Sequence, residues 1–172
     1  MKIALIVIGA LAGLVLVIAI IGAMLPRDHV ATMATTVAAP PDSVWAALTD
    51  VAAYPSWRSD LKSVDVVSKA PLSWREVRSQ GSMTLTAEAF EPPRRMVARI
   101  RDEGQPFGGA WEYSVAPDSA GRTRVTITER GWVSNPIFRF VSRYVIGHYS
   151  TLDGYLRALS RKFGAEITPT RA

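Results

Sequence analysis

The chain has 172 residues, 48% of them hydrophobic, and it carries a formal net charge of +5 from 20 basic and 15 acidic side chains. This apolar fraction excludes an intrinsically disordered chain, and the length accommodates one domain of about 100–150 residues with an appendage. The sequence contains no cysteine, which excludes disulfide bonds, a thiolate nucleophile and cysteine-bound metal centres. Its only histidines are His29 and His148, so a site with three histidine ligands is also excluded, and we expect no metal or other cofactor.

The first predicted element is an apolar helix at the N-terminus. Residues 3–25 contain no charged or hydrogen-bonding side chain. As a helix that rises about 1.5 Å per residue they span roughly 35 Å, enough to cross a hydrocarbon core of about 30 Å. The alternative is a cleaved secretory signal, because Ile21-Gly22-Ala23 offers small residues for cleavage, but the apolar run is longer than the roughly 7–15 residues usual in signals. We therefore expect residues 1–29 to form an uncleaved membrane anchor and its juncture.

The basic residues beside this anchor favour one orientation. The N-terminal amine and Lys2 lie on one side, whereas Arg27 on the other side is partly offset by Asp28. Because basic flanks tend to stay in the cytoplasm, we expect a single-pass protein with a cytoplasmic N-terminus and an exoplasmic domain. The other basic residues are scattered rather than clustered, so we expect a solvated basic surface near anionic lipid headgroups and no nucleic-acid partner.

The segment after the anchor is predicted to contain a strand, a helix and a series of strands. Met33, Thr35 and Val37 alternate with small residues as in a strand. Pro41 and Asp42 suit the first turn of a helix. Turn residues then separate six strand-like runs, and the short connections favour an antiparallel meander over parallel crossovers. These runs are 61–68, 73–79, 83–90, 96–101, 110–116 and 122–133.

The last predicted element is a long amphipathic helix. Asn135 suits its N-cap, Pro136 its first position and Gly164 the residue after its end. We expect one continuous helix over 136–163, with an apolar stripe that includes Val145 on one face. Together with the strands, this pattern predicts an α+β fold in which a curved antiparallel sheet wraps around the C-terminal helix and leaves a cavity between the two layers.

Six segments spread through the part of the chain after the anchor together resemble a known family. They are Ala39–Trp45, Leu48–Asp50, Tyr54–Trp57, Phe90–Arg95, Gly109–Tyr113 and Gly121–Glu129. With the terminal helix, they resemble the START-like helix-grip superfamily (SRPBCC group), which includes polyketide cyclase/dehydrase-like and lipid-transport proteins. The resemblance covers roughly residues 30–165, expected to form the domain, and leaves 166–172 as a flexible tail. It implies a deep, mostly apolar cavity but no transferable set of catalytic residues.

Two polar side chains are predicted to point into this cavity. Alternation along the last strand puts Ile127 and Glu129 on its inward face, and His148 lies near the apolar stripe of the terminal helix. This pair would orient a ligand hydroxyl or carbonyl, or act as an acid/base pair if burial moves the pKa values toward neutrality. Alternatively, His148 is a hydrogen-bonded core histidine and Glu129 pairs with an arginine. The predicted cavity lining is Trp57, Trp74, Trp111, Tyr113, Glu129, Tyr144, His148 and Leu152.

These expectations combine into a membrane-anchored binding protein for a hydrophobic small molecule or lipid, attached through residues 3–25. The resemblance leaves a second function open, a polyketide cyclase/dehydrase-like enzyme with Glu129 and His148 as base and acid. A third hypothesis is a module that binds a partner protein and retains only a vestigial cavity.

Overall fold

The computed structural model describes residues 2–102 and 104–172. Eight strands in this part of the chain form the body of the protein: β1 (Asp28–Val37), β2 (Ser63–Lys69), β3 (Leu72–Arg78), β4 (Gly81–Glu91), β5 (Arg95–Ile100), β6 (Phe107–Pro117), β7 (Thr123–Val133) and β8 (Thr170–Arg171). They make one sheet in the order β2-β3-β4-β5-β6-β7-β1-β8, in which neighbouring strands are antiparallel. Short hairpins connect the consecutive strands of the series that begins with β2 and ends with β7. This arrangement confirms the predicted antiparallel meander.

The sheet curves toward the helix that packs on it. Register shifts interrupt the pairing of β2 between Val66 and Ser68 and that of β4 between Ala87 and Ala89. Such bulges bend a strand and increase its twist. The concave face of the sheet therefore faces inward, as the sequence predicts.

Four α-helices accompany the sheet within the described ranges: α1 (Lys2–Met24), α2 (Pro41–Thr49), α3 (Pro136–Val141) and α4 (Ser150–Lys162). The helix α4 buries Leu152, Leu156 and Leu159 in the same core as the inward residues of the sheet. Burying each of these side chains contributes about 1.5–3 kcal/mol. The core therefore lies between α4 and the sheet, which confirms the expected two-layer α+β architecture.

The C-terminal helix differs from its prediction. Instead of one helix over 136–163, the chain forms α3, a π-helical turn over Ser142–Ile146, a break at Gly147 and then α4. Gly147 has φ +81° and ψ 137°, a conformation that only glycine adopts without strain. Val145, expected on the buried stripe, is 71% exposed, because the break removes this turn from the line of α4.

Both ends of the helical region agree with the sequence. The Asn135 side-chain oxygen accepts hydrogen bonds from the backbone N–H groups of Ile137 at 2.9 Å and Phe138 at 3.2 Å. Gly164 follows the end of α4 with φ +78°, as expected for a helix C-terminus.

The N-terminal helix α1 is long and apolar enough to cross a membrane, and nearly all its side chains are exposed. Its last turn contacts α3. At Gly22 the two backbones come so close that a Cβ atom would overlap the Pro136 carbonyl. The Arg139 guanidinium donates a 2.7 Å hydrogen bond to the Leu25 carbonyl, which satisfies an acceptor just beyond the end of α1. The apolar helix is thus docked on the folded domain.

The strand β8 has no counterpart in the sequence-based prediction. It lies within residues 166–172, expected to be a flexible tail, and its residues Thr170 and Arg171 pair with Ala34 and Met33 of β1. Two residues give too short an alternation to identify a strand.

Candidate functional site

Two neighbouring cavities lie at the end of the sheet nearest α1. The larger one, called here the apolar cavity, has a volume of about 590 Å³ and lies between the ends of β6 and β7 and the α3 region. Six apolar side chains supply much of its wall: Phe107, Trp132, Val133, Phe138, Val141 and Ile146. Several of them, such as Phe138 and Ile146, are more than one-third exposed, so the cavity opens to the surface.

A group of polar side chains borders the apolar cavity on one side. We call His29, Glu129, Ser142 and His148 the polar cluster. His29 Nε2 lies 3.1 Å from Glu129 Oε1, so the imidazole N–H donates to the carboxylate. The rings of His29 and His148 are stacked, with centroids 4.1 Å apart and an interplanar angle of 18°. His148 Nδ1 lies 3.3 Å from the Ser142 hydroxyl.

The register of two strands explains how this cluster forms. β1 and β7 are antiparallel neighbours, with His29 opposite Gly131 and Ala31 opposite Glu129. His29 and Glu129 are therefore diagonal neighbours on one face of the sheet, within reach of each other's side chains. A Cβ atom at position 131 would lie 2.6 Å from His29 Cε1. Glycine at this position thus leaves the room that the His29 ring occupies.

The pKa of His148 is lowered from its ordinary value. Burial is the largest cause, because it disfavours the charged imidazolium, and electrostatic interactions with His29 and Arg143 act in the same direction. Glu129 opposes the shift. At neutral pH His148 is therefore an uncharged imidazole that accepts or donates hydrogen bonds through its two nitrogens.

The second cavity, called here the basic cavity, has a volume of about 330 Å³ and lies between the end of α1 and the α3 region. It shares three wall residues with the apolar cavity, His29, Val133 and His148. The stacked imidazoles thus lie between the two spaces. The remaining polar lining consists of Arg27, Asp28, Arg139, Arg143, Tyr144 and Tyr149.

The structure separates the eight predicted lining residues into two groups. Glu129 and His148 border the apolar cavity, and Tyr144 borders the basic cavity while remaining largely exposed. The other five border neither cavity and lie in or against the core beneath α4: Trp57, Trp74, Trp111, Tyr113 and Leu152. A separate polar cavity of about 350 Å³ lies along α4, beside Arg58 and Tyr155. Beside Trp111 and Tyr113 there is only a void of about 10 Å³, room for about one water molecule.

Aromatic packing explains why that space is filled. The Tyr155 ring of α4 makes edge or tilted contacts with Tyr54, Trp57, Trp111 and Tyr113, at centroid distances of 5.5–6.2 Å. Each such ring buries roughly 150–250 Å² and packs favourably at these separations. These side chains therefore fill the space between the sheet and Tyr155 of α4.

A buried ion pair completes this core, and the sequence did not reveal it. Arg58 is 2% exposed and donates to both carboxylate oxygens of Glu76, at 2.7 and 3.3 Å. Arg78 donates to the same carboxylate at 2.7 Å. Burial is the largest single effect on the pKa of Arg58 and opposes its positive charge. The Glu76 carboxylate and the hydrogen bond to Asp60 together outweigh it, so the pKa of Arg58 is raised. The facing of β3 was ambiguous in the sequence, and this network shows that Trp74 and Glu76 point inward.

His29 is the functional candidate that sequence reasoning missed. It was assigned to the juncture after the anchor, whereas β1 begins one residue earlier, at Asp28. Extending the alternation of Met33, Thr35 and Val37 back along the strand would have put Ala31 and His29 on the same inward face. Within the described residues, no group of three or more His, Asp or Glu side chains is arranged to hold a metal ion.

Solved structures with the same fold cover most of the chain. The Zhui aromatase/cyclase from Streptomyces sp. R1128 has a TM-score of 0.66 at 18% identity, over 78% of this chain and 93% of that one. A START superfamily protein from Mycobacterium smegmatis has a TM-score of 0.62 at 16% identity, over 78% and 97%. Truncated norcoclaurine synthase from Thalictrum flavum has a TM-score of 0.64 at 10% identity, over 81% and 96%. At these identities the likeness establishes the START-like helix-grip fold alone.

The sequence comparison gives the family. No curated protein sequence matches the chain significantly. A family model described as "Polyketide cyclase / dehydrase and lipid transport" matches residues 28–162, which extend from the first residue of β1 to the last residue of α4. The chain therefore belongs to the polyketide cyclase/dehydrase and lipid transport family, within the START-like (SRPBCC) superfamily that its sequence resembles.

Proposed function

We propose that this protein binds a hydrophobic small molecule or lipid in the apolar cavity. The observation that carries the proposal is the cavity itself, which holds about 590 Å³ and has mostly apolar walls with the polar cluster on one side. Small-molecule sites are typically of about 300–1,000 Å³, lined by apolar side chains with a few convergent polar groups. The apolar side chains hold the ligand body, and the polar cluster orients a hydroxyl or carbonyl group on it.

We also propose that α1 anchors the protein in a membrane. Its length and exposed apolar surface support this role. The contact between Gly22 and Pro136 argues against a cleaved signal, because this residue of the candidate cleavage site is packed against α3. The anchor holds the opening of the apolar cavity close to the bilayer, where hydrophobic ligands are concentrated.

The orientation expected from the basic flanks is part of this proposal. Because the chain has no cysteine, Ser119→Cys introduces a single thiol in an exposed turn far from α1. A membrane-impermeant maleimide added to intact cells should label this variant, whereas Lys2→Cys should react only after permeabilisation. The opposite pattern would contradict an exoplasmic domain.

A pair of neighbouring substitutions tests ligand binding. Val141 lines the apolar cavity, whereas Val145 lies one turn further along and is 71% exposed. We expect Val141→Trp to fill the cavity and weaken binding of monooleoylglycerol at least about tenfold, since the ligand would lose its apolar contacts. Val145→Trp adds the same volume outside the cavity and should bind as the wild type does.

The measurement is a native mass spectrometry titration of the full chain in an uncharged detergent. If monooleoylglycerol binds Val141→Trp as tightly as it binds the wild type, the proposal is wrong.

A second candidate function is a cyclase/dehydrase-like enzyme. The hydrogen bond from His29 to Glu129 favours it, because a carboxylate that orients an imidazole is a common arrangement for general-base catalysis. In an enzyme, Glu129→Gln and His148→Ala should abolish turnover of a bound poly-β-ketone and leave its affinity unchanged. In a binding protein, the same variants should change affinity or have no effect.

A further inference from the structure

The two cavities are adjacent and differ in character. They meet at His29, Val133 and His148, which border both. One space is lined mostly by apolar side chains, and the other contains three arginines and two tyrosines. A single elongated molecule that reaches both would need an apolar part and a polar part.

The charges around the basic cavity favour an anion. Arg27, Arg139 and Arg143 line it, together with one carboxylate, Asp28. Among the described residues, no carboxylate lies within 4.0 Å of these three guanidinium groups. With His148 uncharged at neutral pH, the lining carries a net positive charge from its arginines.

The three arginines are not equivalent. Arg139 is engaged by backbone carbonyls, that of Leu25 at 2.7 Å and that of Ser134 at 3.3 Å. It therefore holds α1 against α3 and adds its positive charge to the cavity, while its buried Nε has no hydrogen-bond partner among the described residues. Arg27 and Arg143 remain to donate hydrogen bonds to a ligand. Planar guanidinium groups of this kind suit phosphate or carboxylate oxygens, and the hydroxyls of Tyr144 and Tyr149 add neutral donors.

The basic cavity also lies at the depth expected for lipid headgroups. Its wall includes Leu25 and Pro26, which follow the last turn of the apolar helix α1. The rim of the apolar cavity next to it carries Trp132 and Phe138, both exposed by more than one-third. Aromatic side chains are enriched at the boundary between headgroups and hydrocarbon.

We propose that the ligand of this protein is an anionic amphiphile, with its phosphate or carboxylate group in the basic cavity and its apolar chain in the apolar cavity. The inference rests on the proposed function and names the class of ligand. The juxtaposition of a basic and an apolar space beside the end of α1 is the observation that carries it. The headgroup contacts Arg27 and Arg143, and the chain passes the stacked imidazoles to reach the apolar walls.

Three probes test the inference, and they differ in whether they carry an acyl chain, a phosphate group or both. They are 1-oleoyl lysophosphatidic acid, which has a chain and a phosphate, monooleoylglycerol, which lacks the phosphate, and glycerol 3-phosphate, which lacks the chain. Each is titrated against the full-length protein in an uncharged detergent and followed by native mass spectrometry. We expect the lysophosphatidic acid to bind at least about tenfold more tightly than monooleoylglycerol, since charge-assisted hydrogen bonds supply a factor of this size.

Two double variants assign the effect to the basic cavity. Arg27→Gln/Arg143→Gln should reduce the preference for the phosphate to less than about threefold while monooleoylglycerol still binds, which also shows that the variant is folded. Arg122→Gln/Arg124→Gln removes the same charge from exposed positions at the opposite end of β7. This control should keep the full preference.

Each other outcome has a definite meaning. Equal binding of the lysophosphatidic acid and monooleoylglycerol would overturn the anionic ligand and leave the proposed function standing. Binding of glycerol 3-phosphate as tight as that of the lysophosphatidic acid would show a soluble phosphate site and overturn the amphiphile. Failure of both oleoyl probes to bind would refute the proposed function itself.

Discussion

The carboxylate of Glu76 is buried in the core and holds two arginine side chains there. It is 4% exposed and receives hydrogen bonds from Arg58 and Arg78. Glu76→Gln removes the negative charge and leaves Arg58 buried without its main counterion. We expect a loss of about 3 kcal/mol in the free energy of unfolding, as is typical when one partner of a buried ion pair is removed. Urea unfolding of the full chain, followed by tryptophan fluorescence, measures this loss.

Glu88 is the matched control. It also faces two arginines, Arg99 at 2.7 Å and Arg101 at 2.9 Å, but on the surface. Glu88→Gln should cost less than about 1 kcal/mol, because exposed ion pairs contribute little. Equal effects at positions 76 and 88 would show that burial of the Arg58–Glu76 pair is unimportant for stability.

The lowered pKa of His148 predicts how stability changes with pH. As the pH falls below the ordinary histidine value of about 6.5, the unfolded chain takes up a proton at this position, whereas the native chain does not until a lower pH. Acidification therefore stabilises the unfolded state relative to the native state. From about pH 7.5 to about pH 5.5, the wild type should lose more stability than His148→Gln, which has no proton to gain there.

The free energy of unfolding of both proteins, measured across this pH range, checks the sign. A wild type that gained stability relative to His148→Gln on acidification would mean that the pKa of His148 is raised rather than lowered.

At the residue scale, alternation alone predicted that Glu129 points inward, because a strand places every second side chain on one face. It failed for His29, since the predicted strand began too late, and for Glu76, since β3 has charged residues on both faces. The hydrogen-bond partners of these groups come from distant parts of the chain, and a single sequence does not specify them.

At the scale of elements, the largest difference from the sequence-based prediction is the interruption of the C-terminal helix. The cap at Asn135 and the end at Gly164 followed from local chemistry. The break at Gly147 did not, because an isolated glycine is compatible with a helix and the apolar periodicity continues on both sides of it. The helix breaks because Gly147 adopts a backbone conformation with φ +81°. A glycine in the sequence permits this conformation but does not require it.

Replacing Gly147 tests the importance of this break. A side chain at φ +81° is strained, so Gly147→Ala should lower the free energy of unfolding by about 1–2 kcal/mol and disturb the turn that carries His148. Gly154→Ala is the control, because Gly154 lies inside α4 with open space around its Cα. It should be neutral or stabilise by up to about 1 kcal/mol.

Thermal unfolding monitored by circular dichroism compares the two alanine variants. If Gly147→Ala is as stable as Gly154→Ala, the glycine is not required for the break.

At the scale of the whole molecule, the sequence predicted the two layers, sheet and helix, but not the position of the apolar cavity. Periodicity identified the curved sheet and the covering helix, and hence the space between them. Whether that space is empty depends on how side chains pack, and Tyr54, Trp74 and Tyr155 fill it beneath α4. The cavity lies instead where α3 diverges from α4, close to the end of the apolar helix α1.

This position supports the proposal that a membrane-anchored domain takes a hydrophobic ligand into the apolar cavity. Photolabelling in membranes tests the claim most directly, using the full chain and a monoacylglycerol with a diazirine on its acyl chain, with the modified peptides located by mass spectrometry. We predict labelling of residues 132–146, centred on Trp132, Phe138 and Val141, in addition to α1, and its loss from this region in Val141→Trp. Labelling confined to α1 would contradict the account.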